Sequence, residues 1–302
     1  MMTALVDAHA HIFRPAAVSP RGVDELAPAD RDAPAEELLG LMAASGVENA
    51  VLIPLGTEDD AVADAMRAHP GRFVAVAIAS RETQGRAGHD PVRSLLRRLE
   101  RMPFVALRTS WLAESGRMAE SPMLPTLRFC ADNNILIWSY LPPEQFAMLG
   151  EALRLVPELR VVLNHLGLAP HEMWVDEHVR PRFTSAYSSE HANAVRALAA
   201  NERCFLMFSG QYAISDESWP YPDLRELGRM LVDAYGPERT LWGSDYPWIR
   251  ELPGYPALLD LVDQTLSLSP AERQSVLGGT AHKLFSFAEP ISPFSLQPEK
   301  SI

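Results

Sequence analysis

The chain has 302 residues, 47% of them hydrophobic and 22% charged, which is an ordinary globular composition. With 27 basic against 39 acidic residues, its net charge of −12 argues against a nucleic-acid partner. No apolar run is long enough to span a bilayer, and the first dozen residues lack the pattern of a secretory signal. Cys130 and Cys204 lie far apart in apolar segments, as buried thiols of a reducing compartment do. A cytoplasmic location is therefore expected.

Eight short apolar segments alternate with eight helical patterns along the chain. The predicted strands are Ala4–Ala8, Asn49–Pro54, Phe73–Ala79, Phe104–Arg108, Ile135–Ser139, Arg160–Asn164, Cys204–Phe208 and Thr240–Gly243. The predicted helices are Ala35–Ser45, Asp59–Ala68, Asp90–Arg101, Pro122–Asn133, Pro143–Leu155, Glu190–Ala200, Leu224–Ala234 and Tyr255–Leu266. Strands that are apolar on both faces are typical of a covered parallel sheet, so the alternation predicts an α/β fold, a single (β/α)8 TIM barrel. An open doubly wound sheet is disfavoured because no glycine-rich phosphate-binding motif is present.

Two long inserts follow predicted strands, residues 14–34 after the first and 168–189 after the sixth. Both leave the carboxyl ends of strands, where barrel enzymes have their active sites, and they are expected to cover a substrate. The barrel is expected to occupy residues 1–288, with a C-terminal extension over 289–302. Three histidines in or just after the second insert are expected at the surface: His171, His178 and His191.

The first strand runs into the sequence Asp7-Ala8-His9-Ala10-His11. Because alternate side chains of a strand face the same way, His9 and His11 are predicted to project together at the barrel mouth. Two imidazoles in that arrangement can share one divalent cation. Asp7 is expected on the same side, where its carboxylate would orient an imidazole. The alternative is a pair of polar histidines without a metal.

Two further ionisable side chains follow predicted strands. His165 comes directly after the sixth strand, and Asp245 lies two residues after the eighth. In a barrel the eighth strand lies beside the first, so Asp245 is predicted to lie near His9 and His11. A carboxylate in that position can bind a metal and take a proton from water. Taken singly, His165 could be a hydrogen-bonded core residue and Asp245 could cap a turn.

Together these residues follow a known order, with two histidines on the first strand, one on the sixth and an aspartate on the eighth. The chain resembles the amidohydrolase superfamily, in particular the branch that includes 2-pyrone-4,6-dicarboxylate lactonase, sugar lactonases and the aminocarboxymuconate semialdehyde decarboxylase group. The ending at 279–285, Gly-Thr-Ala-His-Lys-Leu-Phe, is similar as well. The resemblance implies a metal site of His9, His11, His165 and Asp245, in which Asp245 is the general base and His165 a second catalytic group.

The resemblance also limits the metal and the reaction. Binuclear members have a bridging lysine or glutamate on a middle strand, and Ile135–Ser139 offers neither. One divalent ion is therefore expected, Zn²⁺ or alternatively Mn²⁺, and a metal-free lactonase mechanism stays open. The decarboxylase group has a histidine on the strand that corresponds to Cys204–Phe208, where this chain continues with Ser209 and Gly210.

The expected function is therefore hydrolysis of a lactone or similar cyclic ester by an activated water. The alternative is a mononuclear decarboxylase or hydratase that acts on an aromatic or unsaturated acid. A non-catalytic barrel that only binds a metal or ligand is a third hypothesis, against which the four polar groups argue. No serine-hydrolase elbow of the type Gly-x-Ser-x-Gly is present.

Four more residues are candidates for binding a small-molecule substrate. Arg108 ends the fourth strand, and its planar guanidinium could hold a substrate carboxylate or pair with a neighbouring loop. Tyr140 and Ser80 could donate to a substrate oxygen, and Trp111 could line a pocket for a ring. A structural role is an equal alternative for Tyr140 and Ser80, and an aromatic residue in the position of Trp111 often belongs simply to the core. A homo-oligomer is compatible with the sequence.

Overall fold

The computed structural model describes residues 3–114, 117–183 and 187–287. The strands are β1 (Leu5–His11), β2 (Val47–Ile53), β3 (Phe73–Ile78), β4 (Ala106–Thr109), β5 (Leu136–Ser139), β6 (Val161–Leu163), β7 (Met173–Val175), β8 (Pro181–Phe183), β9 (Cys204–Phe208) and β10 (Thr240–Trp242). All but β7 and β8 form one parallel sheet in the order β1-β2-β3-β4-β5-β6-β9-β10. The strands β7 and β8 form an antiparallel hairpin within the second insert.

The sheet closes on itself next to the predicted site. Just beyond β10, Tyr246 forms a parallel bridge with Ala10 of β1, and its carbonyl accepts the amide of His11 over 2.6 Å. The amide of Asp245 donates to the carbonyl of His9 over 2.8 Å. These bonds join the carboxyl ends of the first and last barrel strands, so the predicted (β/α)8 architecture is confirmed.

Helices cover the outside of the barrel. They are α1 (Ala35–Ala44), α2 (Asp60–Ala68), α3 (Pro91–Arg101), α4 (Leu124–Asp132), α5 (Pro143–Phe146), α6 (Leu149–Leu155), α7 (Ser189–Leu198), α8 (Gln211–Ile214), α9 (Arg225–Tyr235), α10 (Tyr255–Thr265), α11 (Pro270–Gln274) and α12 (Thr280–Leu284). The fifth predicted helix is divided into α5 and α6. Helices α8, α11 and α12 were not predicted from the sequence. Within the described ranges, no helix has the length and apolar character needed to cross a membrane.

The barrel strands bury side chains on two sides, one facing the barrel interior and one facing the helices. The interior cluster includes Val6, Ala8, Val51, Ile53, Val76, Trp138, Val162, Met207 and Leu241. On β1 the pairing register with β2 shifts between Asp7 and Ala10. A strand irregularity of this kind changes which face a side chain occupies. As a result, Asp7 faces α10, whereas His9 and His11 face the interior at the mouth.

The opposite end of the barrel is closed by the last described residues. Phe285 and Phe287 belong to the interior cluster, and the Phe285 ring lies 6.3 Å from that of Trp138. Both cysteines are buried free thiols, as predicted. The proposed C-terminal extension, 289–302, lies outside the described residues.

Candidate active site

Four side chains meet at the carboxyl end of the barrel. Nε2 of His9 lies 3.3 Å from Nε2 of His11 and 3.4 Å from Oδ1 of Asp245. The same carboxylate oxygen lies 3.5 Å from Nε2 of His11, and Oδ2 lies 3.6 Å from Nε2 of His165. All four side chains are buried. The structure thus brings together every residue of the predicted metal set.

Two of the imidazoles are oriented by bonds on the side away from Asp245. Nδ1 of His11 lies 2.9 Å from the carbonyl oxygen of Ile53, so Nδ1 carries the proton and donates it. The lone pair of the His11 Nε2 therefore faces Asp245. Nδ1 of His165 lies 2.8 Å from Oγ of Ser209, which fixes the plane of that ring. Such partners hold a metal-binding or catalytic imidazole in one orientation.

The third imidazole has a different partner. Nε1 of Trp138 donates to Nδ1 of His9 over 3.4 Å. In a neutral His9 ring the proton then lies on Nε2, which faces Asp245. A cation bound at Nε2 requires that proton to be at Nδ1, opposite the indole N–H. Trp138 therefore favours the tautomer of His9 whose Nε2–H donates to Nε2 of His11 over 3.3 Å.

Asp7 does not orient an imidazole, contrary to the sequence-based prediction. Its carboxylate accepts the amide of His9 over 3.2 Å, the amide and hydroxyl of Ser244 over 2.8 and 2.6 Å, and the hydroxyl of Tyr255 over 2.9 Å. The register shift on β1 explains the difference, because it turns Asp7 out of the barrel interior. Asp7 instead ties β1 to the segment that carries Asp245.

Asp245 is the central group of the site. Its backbone has a φ of 61°, and the hydroxyl of Tyr212 donates to Oδ2 over 2.7 Å. Oδ1 is buried and has no hydrogen-bond partner among the described residues. Burial acts to raise the pKa of Asp245, but the neighbouring His165 and the other two imidazoles hold that pKa below its usual range. The carboxylate is therefore ionised at neutral pH.

His9 and His165 are neutral at the same pH. Burial, together with the nearby His165, lowers the pKa of His9 well below its ordinary value. Burial also lowers the pKa of His165 to about 4, against the opposing effect of the Asp245 charge. Neutral imidazole is the form that can bind a metal or accept a proton.

These residues fit a divalent cation. His9, His165 and Asp245 each offer a ligand atom, and these atoms all lie within 4.8 Å of one another. The unpartnered, buried Oδ1 of Asp245 is the observation that favours a cation most, because such an oxygen is costly to bury without a partner. The lone pair of the His11 Nε2 faces the same oxygen. A set of imidazoles and a carboxylate is a donor set that Zn²⁺ and similar ions accept.

Gly210 gives His165 the space that it occupies. A Cβ at this position would lie 2.5 Å from Nδ1 of His165, and the φ of Gly210 is +73°. Both the close approach and the left-handed backbone require glycine. The small residues after β9 therefore serve to seat His165, where the decarboxylase group was expected to supply a histidine.

Arg108 and Tyr140 lie beside the site. The guanidinium carbon of Arg108 lies 4.1 Å from the centre of the Tyr140 ring. The charge of Asp245 acts on the pKa of both groups, although burial is the largest influence on each. Burial lowers the pKa of Arg108, but the guanidinium is still a cation at neutral pH. Burial raises the pKa of Tyr140, so its hydroxyl is neutral at that pH.

A cavity of about 420 Å³ opens between the two inserts and the loop after β10. Among its lining residues are Arg31, Arg180 and Trp248. The ring of Trp248 lies 5.8 Å from that of His11, and the guanidinium carbon of Arg31 lies 5.0 Å from the centre of the Trp248 ring. Arg31 also donates to the carbonyl of Val179, which joins the two inserts. The two inserts thus contact each other, and this cavity is next to His11.

The other two candidate substrate residues have local partners. Ser80 and Thr83 close a turn after β3, in which Oγ of Ser80 accepts the amide of Thr83 over 3.2 Å. The Trp111 ring lies 4.5 Å from the guanidinium of Arg86. A substrate contact by Ser80 or Trp111 stays a prediction.

The three histidines of the second insert do not join the metal set. His171 and His178 have side chains 64% and 37% exposed, and each lies near the glutamate next to it in sequence. His191 is not in a surface loop: it lies on α7, partly buried, and its Nε2 donates to the carbonyl of Gly167 over 2.7 Å. None of these positions replaces the histidine missing from β9.

Three contacts of the site were missed from the sequence. Tyr212 binds Asp245, Trp138 binds His9, and Ser209 binds His165. Ser209 and Trp138 lie at barrel strand ends, so their strand positions were a usable signal. Tyr212 lies on α8, a four-residue helix with no periodicity to predict it.

Comparisons with known proteins show the family and the fold of the chain. The family model described as Amidohydrolase matches residues 6–287. An L-fucono-1,5-lactonase from Burkholderia ambifaria is 26% identical over 305 residues, covering 96% of this chain and 98% of that protein. A 4-sulfomuconolactone hydrolase from Hydrogenophaga intermedia is 23% identical, covering 89% and 83%. A crystal structure of a Burkholderia multivorans amidohydrolase with bound zinc gives a TM-score of 0.72 at 20% identity, covering 95% of this chain and all 100% of that one.

Proposed function

Since the chain belongs to the amidohydrolase family, we propose that it hydrolyses a lactone or similar cyclic ester. The observation that carries the proposal is the ionised Asp245 among three imidazoles at the mouth of the barrel. Two relatives that align over most of the chain are named for hydrolysis of lactones, which supports the same class of substrate.

In the proposed reaction Asp245 removes a proton from the attacking water. Its bare Oδ1 is the atom that accepts this proton, because Oδ2 already accepts the hydroxyl of Tyr212. Asp245 then returns the proton to the ring oxygen as the lactone C–O bond breaks, so that the product is a hydroxy acid. His165, neutral and fixed by Ser209, lies on the Oδ2 side, where it is placed to orient the reacting carbonyl.

One divalent cation, Zn²⁺ or Mn²⁺, is the proposed cofactor, held by His9, His11, His165 and Asp245. When bound, it would supply a Lewis acid for the carbonyl oxygen and lower the pKa of water. A zinc ion is present in the Burkholderia multivorans relative, which supports Zn²⁺ here. The indole N–H of Trp138 opposes cation binding at His9, and this contact supports the alternative mechanism without a metal.

The cationic groups around the site favour a lactone that carries an acidic substituent. Arg108 lies on one side of Asp245, held over Tyr140. Arg31 lies over Trp248 in the adjacent cavity. A planar guanidinium binds a carboxylate through two parallel hydrogen bonds, so we propose that Arg108 holds a substrate carboxylate and Tyr140 donates to a substrate oxygen.

A carbon–carbon lyase is the weaker candidate. Its expected extra histidine is absent from β9, and His171, His178 and His191 have other partners. A single assay separates the two reactions. Lactone hydrolysis releases a proton and adds the mass of one water, whereas decarboxylation consumes a proton and releases carbon dioxide.

The test is a panel of sugar lactones and unsaturated lactone carboxylates, followed with a pH indicator and by mass spectrometry of the products. The expected result is acidification together with a product heavier by one water. A rise in pH together with release of carbon dioxide from unsaturated acids, while every lactone stays unchanged, would contradict lactone hydrolysis and favour the lyase.

A further inference from the structure

His165 stands on an unusual backbone turn. Residues His165, Leu166 and Gly167 have φ values of 46°, 57° and 81°, so three consecutive residues adopt the left-handed conformation. Residues other than glycine rarely do so, and never without support from their surroundings. The turn is closed by the amide of Gly167, which donates to the carbonyl of Asn164 over 2.8 Å.

The support comes from α7 and from Tyr187, which lies two residues before the helix begins. The hydroxyl of Tyr187 donates to the carbonyl of Leu166, and Nε2 of His191 donates to the carbonyl of Gly167 over 2.7 Å. A Cβ on Gly167 would lie 2.8 Å from the methyl groups of Val195, so the helix packs directly on the turn.

The two donors also hold each other in place. The ring of His191 packs edge-on against Tyr187 at 5.2 Å and against Phe146 of α5 at 4.7 Å. Tyr187 lies near the end of the second insert, and the turn directly precedes that insert. The same two hydrogen bonds therefore close the base of this insert against the residues that follow β6.

We infer that Tyr187 and His191 are positioning residues, which hold the left-handed turn so that His165 faces Asp245. Neither residue contacts the four candidate ligands in the described structure. Without the two donors, the carbonyls of Leu166 and Gly167 lose their partners, and the turn can relax toward conformations that non-glycine residues prefer. Since His165 is carried by the turn, its ring would then leave Asp245. Only the kinetic part of the test rests on the proposed lactonase function.

The test uses variants that remove the donors and keep the rings. His191→Phe keeps the ring contacts, His191→Gln restores an N–H near the position of Nε2, and Tyr187→Phe removes the second donor. Tyr235→Phe is the matched control, because the hydroxyl of Tyr235 donates over 2.7 Å to the carbonyl of Val195 on the same helix and not to a carbonyl of the turn.

We expect His191→Phe and Tyr187→Phe each to lower kcat for a lactone about tenfold with KM changed less than about twofold, because small displacements of a reacting group slow the chemical step. His191→Gln should recover most of the loss, and Tyr235→Phe should leave kcat unchanged. In a crystal structure of the His191→Phe, Tyr187→Phe double variant, His165 Nε2 should leave its position 3.6 Å from Asp245 Oδ2 by at least about 0.5 Å.

An unmoved His165 in the double variant overturns the inference, as does kinetic behaviour equal to that of Tyr235→Phe. If the wild-type chain hydrolyses no lactone, the proposed function fails, and the crystal structure still decides the inference about the turn.

Discussion

The Asp7→Asn substitution is expected to change the free energy of unfolding by an amount that depends on pH. Asp7 is fully buried, and burial raises its pKa from 3.8 to about 6 despite the hydrogen bonds from Ser244, His9 and Tyr255. The folded chain therefore binds a proton more tightly at this site than the unfolded chain does. Since each pH unit corresponds to 1.36 kcal/mol, the difference amounts to about 3 kcal/mol.

The sign follows from proton linkage. Between pH 4 and pH 6 the folded state carries more protons than the unfolded state, so the stability contributed by Asp7 is complete below about pH 4 and is lost as the pH rises through 6. Asparagine does not titrate. Relative to the Asp7→Asn variant, the wild-type chain should therefore lose about 2 kcal/mol of unfolding free energy between pH 4.5 and pH 7.5.

Urea denaturation of both chains, followed by tryptophan fluorescence at several pH values, measures this difference. His9, His165 and Asp245 are present in both chains, so their own titration largely cancels in the comparison. A difference that stays constant within about 0.5 kcal/mol over the pH range, or one that grows in the opposite direction, contradicts the account of Asp7.

Three further substitutions test contacts around the site. Trp138→Phe removes the N–H that faces Nδ1 of His9, so the affinity of the chain for Zn²⁺ should rise about threefold to tenfold. Competition with a chelator measures this affinity, and weaker Zn²⁺ binding by the variant contradicts the argument about the His9 tautomer. Arg108→Lys removes the planar guanidinium, so KM should rise about tenfold or more for a lactone that carries a carboxylate and change little for a neutral lactone. Equal changes in KM for the two lactones rule out the carboxylate contact. Gly210→Ala places a methyl group 2.5 Å from His165 Nδ1 and should lower kcat at least about tenfold, with full activity as the refuting result.

The barrel fold and the meeting of His9, His11, His165 and Asp245 could both be predicted from the geometry of parallel strands. Parallel strands of a closed barrel have their carboxyl ends on one rim, so polar residues at the ends of the first, sixth and eighth strands must come together. The histidine pair His9 and His11, His165 and Asp245 are far apart in the sequence, yet each lies within three residues of the end of a predicted apolar strand. Strand ends are also the feature that alternating apolar and helical patterns locate best.

The direction of Asp7 could not be predicted in the same way. Strand alternation places it with His9 and His11, but the register shift on β1 turns it outward toward Tyr255. A shift of this kind depends on pairing with the neighbouring strand, and nothing in the sequence around Asp7 marks it. The contact of Tyr212 with Asp245 was equally hidden, because it depends on how the chain turns after β9.

The most direct test of the account is turnover of a lactone by Asp245→Asn beside the wild-type chain. Asparagine keeps the shape of the side chain and an acceptor for Tyr212, but it cannot take a proton from water. With an unchanged circular dichroism spectrum, kcat should fall by about 10²–10⁴, the usual loss when a general base is removed. Turnover by Asp245→Asn at the wild-type rate would contradict the assignment of Asp245 and the hydrolytic mechanism built on it.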